Sequence, residues 1–240
     1  MRYLFTVSYD GSNYSGFQRQ SNTNSIQTEI EKALKRMTKN EYTIQSAGRT
    51  DKGVHALAQT FHLDLDLEID VNKWIKALNL RLPDDIIIVK IKLVDNNFHA
   101  RYSAKGRVYV YKIAKQPSTI FSQRFEVYIE NFNLELARLA SLKFIGTKDF
   151  TGFFKSNPNK DPIRTIKSIK IKETKTHYTF EFNGVSFLRY MVRSIMGQII
   201  SVATNQLQLK DIDEIFKTKE RKLASKTADA KGLYLKKIIY

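Results

Sequence analysis

The order strand, helix, strand, strand, helix, strand can be traced twice along this chain, and this repetition limits the possible folds more than any other feature. Alternating apolar and polar residues predict the strands, and apolar residues at helical spacing predict the helices between them. The predicted strands are residues 2–9, 42–46, 59–67 and 86–94 in the first half, and 107–114, 163–172, 176–183 and 233–239 in the second. Two such units in series are typical of a ferredoxin-like pattern used twice.

We therefore expect an α+β protein with two tandem ferredoxin-like halves, whose mostly antiparallel sheets lie side by side around a basic cleft. The boundary is predicted near residues 103–106, which gives an N-terminal half of residues 1–103 and a C-terminal half of residues 104–240. No low-complexity tract or long linker separates the halves, so we expect them to pack as one body.

Side chains that cap helices predict where three helices begin. Asn24, Asp70 and Asn133 each precede a run of apolar residues at helical spacing, and their side-chain oxygens can accept hydrogen bonds from the first backbone N–H groups. A long fourth helix is predicted over residues 187–203, followed by a short one over residues 210–217.

The predicted strand over residues 59–67 has the sharpest alternation in the chain. Its apolar side chains are expected to face the core, and they are Phe61, Leu63, Leu65 and Leu67. Its polar side chains are expected to face outward, and they are His62, Asp64 and Asp66. This strand is therefore predicted to have one buried and one solvated face.

The chain is strongly basic, with 40 Lys and Arg against 24 Asp and Glu and a formal net charge of +16. The charge is spread along the 240 residues, which favours a folded basic surface that binds a polyanion, with nucleic acid first and an anionic membrane second. The absence of cysteine excludes disulfides and thiolate metal sites. No run of about 18 apolar residues occurs, so we expect no membrane span and a cytoplasmic location.

Residues 47–56 read Ala-Gly-Arg-Thr-Asp-Lys-Gly-Val-His-Ala and hold the strongest candidate for chemistry. They place Asp51 in a glycine-flanked turn between two predicted strands, with Arg49 and Lys52 beside it. Nearby cations favour the ionised form of a carboxylate, which a nucleophile or an electrostatic anchor requires. An aspartate in such a turn is also an ordinary turn residue. Both interpretations stay open from these residues alone.

The predicted strand over residues 107–114 carries Tyr109 and Tyr111 on one face, with Arg107 and Lys112 nearby. Tyrosines commonly pack within sheets, and this is the simpler interpretation. RNA-binding sheets also use aromatic side chains as platforms on which unpaired bases stack. The flanking cations favour this second interpretation.

Three further segments have the residue types of an RNA-contacting surface. Aromatic and basic residues alternate in one of them, which comprises Phe98, His99, Ala100, Arg101 and Tyr102. Arg189 and Arg193 are expected one helical turn apart at the margin of an apolar helix face, where one of them can meet a buried carboxylate such as Asp51. Arg19 lies in a long polar loop that can wrap a nucleic-acid backbone. A solvated loop or a surface arginine is the alternative in each case.

These motifs, in their order along nearly all of the chain, resemble the TruA family of tRNA pseudouridine synthases. The segments that carry the resemblance are Tyr9-Asp10-Gly11, residues 16–20, Ser25-Ile26-Gln27, residues 47–51 with residues 53–56, Phe98-His99-Ala100-Arg101, Arg107 with Tyr109 and Tyr111, Phe187-Leu188 with Met191-Val192-Arg193, and Gly232-Leu233-Tyr234. The Gly-Arg-Thr-Asp sequence with its Gly-Val-His continuation is the most specific of them. The family often has Trp where this chain has Phe17.

The resemblance implies an enzyme that isomerises uridine to pseudouridine at positions 38, 39 and 40 of the tRNA anticodon stem-loop, with no metal or cofactor. It implies that Asp51 is the nucleophile, that Tyr109 contacts the target base, that Arg49 helps to extrude the nucleotide and that Arg193 pairs with Asp51. It further implies a homodimer that binds tRNA and needs neither a membrane nor a protein partner. Attack of Asp51 at uracil C6 or at ribose C1′ remains open, as does the identity of the general base.

Two other functions fit parts of the sequence. A non-catalytic tRNA-binding protein or RNA chaperone of the same fold needs the basic cleft and the tyrosines but not Asp51. A basic structural or ribosome-associated protein needs only the charge. Release of tritium from uracil C5 of labelled RNA separates the enzyme from both alternatives.

Overall fold

The computed structural model describes residues 1–155 and 161–240, and they form two compact units. Unit 1 comprises Met1–Lys105 with Tyr234–Tyr240, and unit 2 comprises Gly106–Leu233. The sequence also predicts a short loop over residues 157–161, and most of it lies outside the described residues.

The structure contains strands and helices in mixed order. The strands are β1 Arg2–Tyr9, β2 Gln45–Ser46, β3 His55–Asp64, β4 Ile86–Val94, β5 Gly106–Ala114, β6 Val127–Tyr128, β7 Gly146–Asp149, β8 Ile163–Glu173, β9 His177–Gly184 and β10 Leu233–Ile239. The α-helices are α1 Ile26–Thr38, α2 Val71–Asn79, α3 Leu134–Leu142, α4 Met191–Ala203 and α5 Leu209–Thr218. The predicted α+β class with mostly antiparallel strand pairs is confirmed.

Unit 1 contains a sheet with the strand order β4-β1-β3-β10, in which β2 also pairs with β3. The pairs among β4, β1 and β3 are antiparallel, whereas β10 runs parallel to β3 with Tyr234 opposite His55. The inward residues of β1 are buried as its alternation predicts, and the Phe5 ring stacks on its register partner Phe61 at 4.8 Å.

The last strand corrects the predicted division of the chain. Sequence analysis assigned residues 233–239 to the C-terminal half as its closing strand. In the structure Tyr234–Tyr240 belong to unit 1, because β10 pairs with β3. A strand's periodicity identifies it as a strand but does not identify its partner, since pairing depends on an edge that a distant segment supplies.

Unit 2 contains a sheet with the order β5-β9-β8-β7, and the short strand β6 pairs with β5 in parallel. Helices α3 and α4 pack against each other, and a cluster of aromatic rings fills the region between α3, α5 and the segment after β7. Its members are Phe144, Phe150, Phe153 and Phe216. Strands β6 and β7, at two and four residues, are too short to have been predicted from alternation.

Helix starts follow the sequence where a capping side chain sets them. Asp70 and Asn133 cap α2 and α3 as predicted, because their side chains accept hydrogen bonds from backbone N–H groups of the first turn. For α1 the cap is Ser25 rather than Asn24, and its hydroxyl accepts from the Thr28 N–H at 3.2 Å. The fourth helix begins at Met191, four residues later than predicted, because Tyr190 adopts a left-handed conformation with φ of 63°.

No α-helix within residues 1–155 and 161–240 is both long and apolar enough to span a bilayer.

Candidate active site

The Asp51 turn lies between β2 and β3 in unit 1 and is closed by its own backbone. The Val54 N–H donates to the Asp51 carbonyl oxygen at 3.1 Å. Thr50 is buried on one side of Asp51, and its hydroxyl lies 2.9 Å from the hydroxyl of Tyr9 at the end of β1. Asp51 itself is partly exposed, while Arg49 and Lys52 point their side chains into solvent. The turn therefore presents a carboxylate and two cations from a fixed backbone.

The polar loop over residues 10–24 supports this turn from behind. The Phe17 N–H donates to the Thr50 carbonyl oxygen at 3.3 Å, and the Gly53 N–H donates to the Tyr14 carbonyl oxygen at the same distance. Gly16 lies so close that a Cβ built on it would be 2.5 Å from the Thr50 carbonyl oxygen. Much of this loop therefore packs against the Asp51 turn and is not a free surface loop.

His55 is a supporting residue whose role the sequence did not reveal. It is buried at the first position of β3, where its ring stacks on Tyr234 at 4.7 Å. Its Nδ1 accepts from the Gly11 N–H at 3.1 Å and lies 3.0 Å from Oδ1 of Asp10. The histidine therefore joins the turn to the loop behind it. Its position four residues after Asp51 is the signal that sequence analysis had available.

Arg19 extends from the same loop and is fixed to α1. Its Nη1 donates to Oε2 of Glu31 at 2.9 Å, and its own backbone N–H donates to Oε1 of Gln27 at 3.1 Å. More than half of the Arg19 side chain, 56%, remains exposed. The arginine is thus positioned by α1 and still accessible to an anion.

Residues 98–102 form a turn after β4, and only part of this segment is accessible. Arg101 and Tyr102 are exposed, with the guanidinium carbon of Arg101 5.6 Å from the centre of the Tyr102 ring. Phe98 packs against the ring of Tyr240 at 4.9 Å. Ala100 is fully buried, so the structure gives its side chain no surface for the RNA contact that was predicted for it. Its role is to anchor the turn.

His62 on β3 supplies one of those anchors. It was predicted to face solvent, but it is buried beneath the turn and its Nδ1 accepts from the Ala100 N–H at 3.2 Å. Its ring also contacts the ring of His99, whose Nδ1 accepts from the Arg101 N–H at 3.1 Å. Burial, together with the charges of Arg2 and His99, lowers the pKa of His62 to about 4. The neutral ring is thus the form that the fold uses.

Tyr109 and Tyr111 on β5 of unit 2 have different surroundings. Tyr109 is half-buried, and its ring meets Phe187 edge-on at 5.2 Å. Tyr111 is fully buried, and its hydroxyl donates to the Asp229 carbonyl oxygen at 3.0 Å. The expected pair of stacking tyrosines is therefore reduced to Tyr109. Arg107, two residues earlier, donates from Nη1 to the Val185 carbonyl oxygen at 3.2 Å.

Arg189 and Arg193 do not share a helix, because α4 begins between them. Both instead approach the ring of Tyr190, with guanidinium carbons 5.0 and 5.5 Å from its centre. Arg189 is exposed, whereas Arg193 is half-buried and donates from Nε to the Ala228 carbonyl oxygen at 2.8 Å. Sequence analysis missed Tyr190, whose aromatic ring between two arginines was the available signal.

Within the described part of the chain, no three His, Asp or Glu side chains cluster in a way that could hold a metal ion. The arrangement in unit 1 offers a fixed carboxylate among exposed cations. The arrangement in unit 2 offers the half-buried aromatic ring of Tyr109 and the half-buried guanidinium of Arg193. These are residue types suited to binding an anionic substrate and to nucleophilic or electrostatic catalysis.

Comparisons with known proteins identify the family. A family model described as tRNA pseudouridine synthase matches residues 6–103 and 140–240. A relative from Streptococcus pneumoniae (strain Hungary19A-6), called "tRNA pseudouridine synthase A", is 39% identical over 245 residues, which cover 100% of this chain and 98% of the relative. The protein of the same name from strain CGSP14 matches equally well.

Among solved structures, a chain of the Cbf5-Nop10-Gar1 complex aligns with 82% of this chain and 54% of its own length, at 11% identity. Its TM-score of 0.33 is too low to indicate a shared fold. The full-length identity and the family model are sufficient without it, and they confirm the predicted family and enzyme class. This chain belongs to the tRNA pseudouridine synthase family.

Proposed function

We propose that this protein isomerises uridine to pseudouridine in tRNA, at positions 38, 39 and 40 of the anticodon stem-loop, with Asp51 as the nucleophile. The observation that carries the proposal is the 39% identity, over its whole length, to proteins called tRNA pseudouridine synthase A. The strong positive charge and the supported Asp51 turn agree with it, since an RNA substrate is a polyanion and a nucleophile must be held in place.

The reaction breaks the bond between ribose C1′ and uracil N1 and forms a bond between C1′ and C5. The C5 proton is lost and N1 gains a proton, so the product is an isomer and no oxidant or reductant is consumed. Asp51 attacks either uracil C6 or ribose C1′, and its carboxylate is released when the new bond is complete. Either route requires the uridine to leave its stack, at a cost of a few kcal/mol.

The other proposed roles follow from placement and chemistry. Arg49 is exposed next to Asp51, where its guanidinium can occupy the space of the extruded nucleotide. Tyr109 offers a half-buried ring against which the uracil can stack while it is detached. Arg193 is proposed to pair with Asp51 and to keep it ionised.

Phosphate contacts are proposed for the exposed cations. Arg19, Arg101 and Arg189 each expose a guanidinium, and Arg107 lies at the start of β5. Contacts of this kind lower the net cost of base extrusion, because each one releases counterions from the RNA. His99 and Phe98 are proposed to hold the segment that presents Arg101 and Tyr102.

The assembly and setting are also proposals. A homodimer in the cytoplasm that needs no cofactor and no other protein follows from the family resemblance. Sedimentation of the purified chain, alone and with tRNA, tests the dimer.

Tritium release from uracil C5 of labelled tRNA tests the reaction. Wild type is expected to release tritium, and Asp51→Asn and Asp51→Ala are expected to release none while binding tRNA with unchanged affinity. Asp66→Asn, at an exposed aspartate, is the matched control and should react as wild type does. Release by Asp51→Ala at the wild-type rate would contradict the assigned nucleophile. Tight binding with no release by wild type would favour the RNA chaperone.

A second assay tests the positions. Anticodon stem-loops in which the uridine at 38, 39 or 40 is replaced by cytidine, one at a time, should each lose release from the replaced position alone. Release that persists when all three are replaced would contradict the proposed site preference and leave the reaction itself intact.

A further inference from the structure

A cavity of about 360 Å³ opens in unit 2 beside the start of α4. Its lining residues are Phe154, Lys155, Tyr190, Arg193, Arg221 and Thr227. Three of these six residues are cations and none is acidic. The excess of positive charge from Lys155 and Arg221 beside Arg193 makes this cavity suited to an anionic ligand.

Arg221 is the residue that points most clearly to a ligand. Its Nη2 donates to the Thr227 hydroxyl at 2.9 Å, but its Nη1 is buried and has no hydrogen-bond partner among the described residues. Burial lowers the pKa of the Arg221 guanidinium, and no anion among the described residues offsets the loss of hydration. A partly buried guanidinium without an anionic neighbour in this part of the chain favours an anion that binds beside it.

The wall that carries Thr227 is fastened to α4. The Gln198 side chain accepts from the Ser225 N–H at 3.0 Å, and Arg193 donates from Nε to the Ala228 carbonyl oxygen at 2.8 Å. Gly197 allows a close approach here, since a Cβ on it would lie 2.2 Å from the Lys226 carbonyl oxygen. The cavity is therefore bounded by fixed backbone, which reduces the entropy that a ligand must offset.

We propose that this cavity binds a phosphodiester group of the RNA substrate, through Lys155 and Arg221. A guanidinium and an ammonium group are the side chains best suited to phosphate oxygens. The uncapped start of α4 adds a weaker positive field at the same place. Tyr190 in the cavity wall offers its ring to a neighbouring base.

This inference rests on the proposed function for its location along the RNA. Arg193 lines the cavity and is also the proposed partner of Asp51, so the bound phosphate would lie near the reacting uridine. The subsite would then position the extruded nucleotide through its backbone, without reading its base.

Binding of the anticodon stem-loop at several salt concentrations tests the subsite. Arg221→Gln and Lys155→Gln are each expected to weaken binding by about tenfold near physiological salt and to reduce the slope of log K against log salt by about 0.7 to 0.9. Lys222→Gln, at an exposed lysine next to Arg221 that pairs with Glu220, is the matched control and should leave both quantities unchanged. Equal slopes in wild type and both variants would overturn the proposal.

A neutral linkage in the RNA makes the test specific. Stem-loops with one methylphosphonate at a time should include a position at which wild type loses affinity by about tenfold and Arg221→Gln loses none. Additive losses at every position would overturn the subsite. Inorganic phosphate that raises the melting temperature of wild type but not of Arg221→Gln, together with such additivity, would identify a free anion as the ligand instead.

The two proposals can fail separately. All binding measurements are made in protein that carries Asp51→Ala, and wild type there means wild type at positions 155, 221 and 222. The measurements therefore do not depend on catalysis. Absence of tritium release by wild type would contradict the proposed reaction. The methylphosphonate result would still decide independently whether the cavity binds a phosphodiester group. Circular dichroism shows whether each variant is folded. Lys155 is exposed, so Lys155→Gln still tests the subsite if Arg221→Gln does not fold.

Discussion

The hydroxyl oxygens of Tyr9 and Thr50 lie 2.9 Å apart, and Thr50 is the residue next to Asp51. Both side chains are buried, so this hydrogen bond joins the end of β1 to the turn that carries the proposed nucleophile. A tyrosine 42 residues away in the sequence thereby fixes the backbone from which Asp51 projects.

Tyr9→Phe removes this hydrogen bond and leaves the Thr50 hydroxyl without its buried partner. We expect the free energy of unfolding to fall by about 1 kcal/mol and kcat to fall by about tenfold, because a displaced nucleophile reacts more slowly. Tyr3→Phe is the control, since Tyr3 is also buried on β1 and its hydroxyl accepts from the Ile69 N–H. It should cost similar stability and leave kcat unchanged. Equal effects of the two variants on kcat would contradict a positioning role for Tyr9.

Gly16→Ala tests how closely the loop supports the Asp51 turn. Gly16 and Gly146 have nearly the same φ, +106° and +104°, which any L side chain adopts at a cost. A Cβ at Gly16 meets the Thr50 carbonyl oxygen at 2.5 Å, whereas a Cβ at Gly146 meets nothing within 4 Å. Gly16→Ala should therefore reduce the free energy of unfolding by about 1–3 kcal/mol more than Gly146→Ala, measured by urea unfolding. Equal losses would show that the loop moves to accommodate the new methyl group, which would contradict its close support of the Asp51 turn.

His62 makes the stability of the protein depend on pH. Its pKa is about 4 in the folded protein and 6.5 is the ordinary value, so between these two values the unfolded chain binds a proton that the folded chain does not. Stability is thus complete above pH 6.5 and decreases as the pH falls towards 4. Arg2 and His99 oppose the protonated ring, and Asp64 favours it.

His62→Gln removes this titration and keeps a side-chain oxygen that can accept from the Ala100 N–H. The free energy of unfolding, measured in urea at pH 7, 6 and 5, should decrease less steeply in the variant than in wild type. Parallel curves would mean that folding does not change the pKa of the His62 ring, which would contradict its burial as a neutral group.

Arg193→Gln and Arg189→Gln should have different kinetic effects, although both arginines flank Tyr190. Arg193 is half-buried and is proposed to pair with Asp51, so its loss should lower kcat by about a hundredfold. Arg189 is exposed and is proposed to contact phosphate, so its loss should chiefly raise KM and reduce the salt slope by about 0.9. The same pattern in both variants would contradict this separation of roles.

Several features of the fold could be predicted because nearby residues determine them. Asp70 and Asn133 cap their helices from within three residues, and the alternation of β1 identifies its buried face directly. The Asp51 motif could be recognised for the same reason, since its residues are contiguous. The family followed from the order of such short motifs, and the comparisons confirm it.

Other features could not be predicted from local sequence patterns. His62 alternates as an outward residue, and it is buried only because residues 98–102 fold over it. Tyr111 has the same phase as Tyr109 on β5, but its hydroxyl meets the Asp229 carbonyl oxygen in the core. Ala100 belongs to a segment predicted to contact RNA, but the residue itself is buried.

The sequence by itself determined the order of elements, most helix starts, the basic charge and the family, because each depends on residue type and short spacing. Only the tertiary structure decided that the fourth helix begins after Tyr190, that β10 pairs with β3, and that Arg221 buries an N–H with no partner among the described residues. These outcomes depend on surfaces that distant parts of the chain bring together, and burial and pairing cannot be assigned until those surfaces meet.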